Sequence, residues 1–134
     1  MRLLKKARKS INWHEAPDIK ERVEHLIRSV ELLHFDSSRI FCFRSTGAKT
    51  RAYARIWGFS KIWQMALAQK PAYVLEVISE KFDSLPQPEK DKVLLHEFVH
   101  IPKNFSGALV PHRRHGKGKF SDKLKYLVDI YQKI

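Results

Sequence analysis

The chain has 134 residues, 43% of them hydrophobic, and its 26 Lys and Arg against 14 Asp and Glu leave a formal charge of +12. That length builds one hydrophobic core, so a single domain over 1–134 is expected and a second independent one is not. The basic excess favours polyanions or acidic partners, although the residues are spread along the chain and also serve as an ordinary solvated surface, while no apolar run approaches membrane-spanning length.

The first nine residues, Met1 to Lys9, carry the positive charge of a signal peptide without the apolar stretch that follows one. Pro17 then opens a segment in which Ile19, Val23, Leu26, Ile27, Val30 and Leu33 recur at helical spacing, and Asp18 suits the positive end of the helix dipole. An amphipathic helix to about His34 is predicted. His25 and His34 are read as surface or edge positions, because nothing near them completes a metal site.

The middle of the chain is richer in β-branched and aromatic residues. Arg39 to Arg44 and Ala52 to Trp57, separated by Ser45-Thr46-Gly47-Ala48-Lys49, read as a hairpin. Cys42, the one cysteine, lies inside the first of these runs, where a thiol packs as a small hydrophobe; with no disulfide available, a cytoplasmic location is expected. Lys61 to Leu67 and Ala72 to Ile78 read as two further strands, the segment around Trp63 being also compatible with a helix. Gln64 and Glu76, on these runs, are expected to face solvent.

Pro86 and Pro88 can begin a helix but not continue one, and the dense apolar stretch from Val93 to Ile101 follows them. Its apolar residues point in nearly every direction around a helical axis, so a helix from about Pro88 to Ile101 must be central and covered on most sides. Pro102 ends it. Lys103 to Lys119 has loop composition, and Leu124, Leu127, Val128 and Tyr131 mark a last helix from about Ser121 to Lys133. The sum is an α+β domain: a small, mostly antiparallel sheet of about four strands packed with an N-terminal, a central and a C-terminal helix.

The central helix contains His96-Glu97-Phe98-Val99-His100. Positions i and i+4 share a helix face, so two imidazoles at that spacing can hold one zinc ion, while Glu97, rotated by roughly 100°, can reach a water on the metal as general base. A shuffled chain of this composition contains the pattern only roughly once in fifty times, and here it lies in the most hydrophobic helix, where unsatisfied imidazoles and a carboxylate are costly. A third protein ligand is needed. His112 and His115 in the following loop are candidates, with Asp122 and Asp129 as carboxylate alternatives; the metzincin pattern is excluded because Ser106 stands where its third histidine falls. His112 is preferred, because Pro111 stiffens the chain beside it.

Several stretches together resemble the archaeal and phage metallopeptidase family. They are Ala54-Arg55-Ile56-Trp57-Gly58, Ile62-Trp63-Gln64, Tyr73 to Ile78, Leu95-His96-Glu97-Phe98-Val99-His100-Ile101-Pro102, Phe105-Ser106-Gly107 and Pro111-His112. The resemblance implies a minimal zincin domain with His96 and His100 as metal ligands, Glu97 as catalytic acid and base, and His112 as the third ligand. A fainter similarity to SprT-like zinc proteases fits His115-Gly116 better.

Hydrolysis of protein or peptide substrates by a zinc-activated water is the expected activity, with the strand at 61–67 or 72–78 as an edge for an extended substrate. The competing reading is a basic nucleic-acid-associated protein whose zinc site is structural or degenerate, with Lys49, Arg51, Arg55, Arg113, Arg114, Lys117 and Lys119 forming one patch. A protease acting on DNA-bound proteins unites the two. A zinc-stabilised interaction domain without turnover is the remaining alternative.

Overall fold

A computed structural model describes residues 10–112 and 119–133. Four strands, β1 (Asn12–Glu15), β2 (Ile40–Thr46), β3 (Ala54–Trp57) and β4 (Tyr73–Ile78), form one sheet in the order β1-β2-β4-β3. The β1/β2 and β3/β4 pairings are antiparallel and β2/β4 is parallel, so the sheet is mostly antiparallel as expected. Helices α1 (Pro17–Ser29), α2 (Lys61–Leu67), α3 (Ser79–Phe82), α4 (Gln87–Val99) and α5 (Lys119–Gln132) complete an α+β fold consistent with a small zincin-like domain.

The 39–44 and 52–57 segments are strands, but not a hairpin: β4 lies between them. Tyr73-Val74-Leu75-Glu76-Val77-Ile78 is the strand with least exposure, and a strand buried on both faces gains most from an interior position where both edges are paired. Residues 61–67 are the helix α2 rather than a strand, as their Lys, Gln, Met, Ala and Leu favour. Neither 61–67 nor the interior β4 therefore offers a substrate edge. Among the described residues β3 pairs only with β4 and stands at the end of the sheet.

The α1 helix stops at Ser29, five residues before the predicted end. Glu31 is left-handed (φ 59°), and the Leu32 N–H bonds back to the Ile27 carbonyl, which closes the helix and turns Phe35 into the core. Ile19, Val23, Leu26 and Ile27 of α1 pack with Leu94, Leu95, Phe98 and Val99 of α4 and with Ile40, Cys42, Leu75 and Val77 from one face of the sheet. The α4 helix is the central element its sequence predicts. Phe120 and Leu127 of α5 close the other side. Buried Asp91 joins the three helices, accepting from Arg22 of α1 (2.8 and 2.7 Å), Gln87 of α4 (2.8 Å) and Tyr131 of α5 (2.6 Å). Among the described residues no helix is long and apolar enough to cross a membrane.

Candidate metal centre

His96 lies in the last turn of α4 and His100 is its C-cap, still helical (φ −72°, ψ −14°), so the i, i+4 pair shares a face with ring centroids 5.5 Å apart. His112 reaches the same point from the loop beyond. Its Nε2 lies 3.0 Å from Nε2 of His96, and its ring centroid is 4.7 Å from that of His100. One nitrogen from each of the three rings falls within 4.8 Å of the others. Among the described residues no carboxylate joins this group: Asp122 lines a separate groove behind α4, and Asp129 is not part of the cluster. His115, with Arg113, Arg114 and Lys117, lies outside the described residues, as does the side chain of Lys119. His25 and His34 stay apart from the cluster, as expected.

Val110 fixes His100. Its N–H donates to the His100 carbonyl (2.7 Å), and its own carbonyl lies 2.6 Å from His100 Nδ1. A carbonyl only accepts, so Nδ1 carries the proton and the Nε2 lone pair is left free for a ligand. Burial, then the neighbouring His112 and His100, hold the His96 pKa down to about 4, and burial lowers that of His100 as well. Three imidazole nitrogens this close to one another are a donor set that a divalent cation can use, and the three residues fit one. Phe120 of α5 roofs them, with its ring 4.1 Å from His112, 4.7 Å from His100 and 5.1 Å from His96.

Glu97 is 7% exposed, and among the described residues its carboxyl has no polar partner; burial pushes its pKa up to about 7. It lines the same cleft of about 670 Å³ as His96, His100 and His112, and Ala52, Tyr53 and Ala54 bring the start of β3 to its wall.

The loop carrying Val110 and His112 is anchored by residues whose role is not visible in the sequence. Gln64, expected at the surface, is 5% exposed and donates to the carbonyls of Phe59 (2.7 Å) and Ser106 (2.8 Å). The Tyr73 hydroxyl accepts from the Gly107 N–H and donates to the Ala108 carbonyl, each at 2.8 Å, and the Phe59 N–H donates to the Gly107 carbonyl. Gly107 is left-handed (φ 93°), and a Cβ there would stand 2.3 Å from the Phe59 carbonyl oxygen. Phe105-Ser106-Gly107 is thus the hinge pin of the ligand loop. Glu76 is also buried rather than solvent-facing, held by Arg55 and Trp57, which removes Arg55 from any freely available basic patch.

No curated protein and no solved structure matches the chain. A family model described as Putative phage metallopeptidase matches residues 11–132. That span takes in the sheet, α4 with its two histidines, the anchored loop and all of α5, so the imidazole cluster lies inside the matched region. The chain belongs to this phage metallopeptidase family.

Proposed function

We propose that the protein is a zinc-dependent peptidase in which His96, His100 and His112 hold the metal and Glu97 is the general base and acid. The observation that carries this is the meeting of three imidazole nitrogens within 4.8 Å beside a buried, otherwise unpartnered carboxylate. Three imidazole donors are a set found in catalytic zinc sites, where water takes the remaining position. Zinc bound there would supply Lewis acidity, polarising a scissile carbonyl and acidifying water.

The chain's own residues do the rest. Glu97 takes a proton from a water in the cleft and returns it to the nitrogen of the departing amine, a role for which its burial without a competing partner among the described residues suits it. The free edge of β3 runs from the cleft at Ala54 towards Trp57 and suits an extended peptide as an added strand. Single, buried Cys42 fits a reducing compartment such as the cytoplasm.

Glu97→Gln should keep close to one zinc per chain while hydrolysis of an unfolded protein substrate falls by about 10² to 10⁴. His96→Ala, His100→Ala and His112→Ala should lose metal and hydrolysis together. Full hydrolysis by the Gln variant would remove Glu97 from the mechanism, and unchanged zinc content in His112→Ala would remove that residue from the ligand set.

A further inference from the structure

The sheet face away from α1 and α4 carries a row of cross-strand neighbours, Phe41 on β2, Val74 on β4 and Trp57 on β3. Phe41 is 42% and Trp57 47% exposed, an unusual state for two large aromatics on one sheet face. Strands lie about 4.8 Å apart, so side chains two strands away are rooted about 10 Å apart. That leaves space for one planar ring in contact with both at about 3.5–4 Å. The hollow is about 290 Å³, with Val74 in its lining and Arg39 and Gln69 beside the aromatics.

Trp57 is held in place. Its Nε1–H donates to Glu76 Oε1 (2.8 Å), and Arg55, paired with Glu76 through two bonds of 3.1 Å, lies 5.4 Å over the indole and outside the hollow. A fully buried carboxylate on an open sheet face is costly unless paired, and this one fixes both neighbours in a single orientation. Arg39 sits 5.6 Å over Phe41 and donates from Nε to the Pro71 carbonyl and from Nη2 to the neutral oxygens of Gln69 and Lys70, so that among the described residues Nη1 is not engaged. Among the described residues no carboxylate neutralises it, so the hollow has a cationic rim on a chain of net charge +12.

We propose that this slot binds single-stranded nucleic acid, with one base between Phe41 and Trp57 and the adjoining phosphate on Arg39. Stacking between two aromatics selects a flat ring, and the unneutralised guanidinium selects an anion beside it. An apolar protein segment would use the first feature and not the second. The proposal is independent of the metal site.

The test is fluorescence anisotropy with a labelled oligothymidylate of about 12 nucleotides and with a duplex of equal length, at two salt concentrations. Single strand should bind more tightly than duplex, because paired bases are not free to enter the slot. Phe41→Ala should weaken binding about tenfold while Phe41→Tyr retains it; Arg39→Gln should make the logarithmic salt slope shallower by about 0.7. His96→Ala should bind as the wild type does, which separates this outcome from the fate of the peptidase reading. Thermal midpoints confirm that each variant is folded. Absence of binding, equal affinity for duplex with no effect of Phe41→Ala, or loss of self-association in Phe41→Ala with unchanged oligonucleotide affinity would each overturn the assignment, the last in favour of a contact between two copies.

Discussion

The pairing of His96 with His100 can be read from the sequence because a helix converts an i, i+4 spacing directly into a shared face, with Glu97 turned to one side of it. His112 is legible only as one of several loop candidates, since loop spacing does not specify direction; the Val110 clamp and the Phe120 roof that accompany it have no sequence signature. Gln64 and Glu76 are misread for the same reason, as polar residues are ordinarily exposed and only their partners make burial tolerable. Cys42 is the opposite case. Its apolar neighbours predict burial, and burial pushes its thiol up to about 12, so the folded protein should resist iodoacetamide at pH 7.5 whereas the urea-unfolded chain is alkylated at once. Rapid labelling of the native protein, read by intact mass, would contradict the packing of β2 on the helices.

At the scale of elements, α1, α4 and α5 follow their periodicity, whereas α2 replaces an expected strand and the sheet order follows no local repeat. Chain proximity favours pairing β2 with β3, but the least exposed strand takes the position flanked on both edges, and β4 wins it. The same competition leaves β3, beside the cleft, paired on one edge alone among the described residues. The loop from Pro102 to His112 is held by a backbone close approach at Gly107 rather than by periodicity. Gly107→Ala forces a Cβ towards the Phe59 carbonyl at a left-handed position and should cost at least ~2 kcal/mol, seen as a lower urea midpoint. It should also weaken zinc binding, because the residues displaced include Val110 and His112; unchanged zinc affinity would uncouple that anchor from the metal site.

For the molecule as a whole, α1, α4 and α5 meet on Asp91. Burial by itself would raise the Asp91 pKa, but the hydrogen bonds from Arg22, Tyr131 and Gln87 outweigh it and hold the carboxyl below its ordinary 3.8. The folded state thus binds fewer protons than the unfolded chain in the acid range, so this stabilisation is complete above about pH 5 and disappears as pH falls through the folded value. Asp91→Asn should be less stable by about 2–3 kcal/mol at pH 7 and should lose less of its stability between pH 5 and 3 than the wild type does. Equal acid sensitivity in the two would assign the effect elsewhere, for example to Glu76, also lowered through Arg55 and Trp57. The core is apolar and includes none of the three imidazoles, which it touches at Phe120. Chelation should therefore lower the thermal midpoint by several degrees through mass action, about 2.7 kcal/mol at a hundredfold excess of metal over its Kd, and leave the far-ultraviolet circular dichroism at 25 °C intact. Unfolding by chelator would make the metal structural.

The sequence by itself determined α1, α4 and α5, the burial of α4 and the spacing of its two histidines, because these are local properties of a chain whose side-chain directions repeat every 3.6 residues. Among the described residues, tertiary structure alone decided that His112 joins His96 and His100, which strand ends the sheet beside the cleft, and where Glu76 and Gln64 are buried. Those outcomes depend on contacts between segments far apart in the chain, whose directions no local repeat encodes.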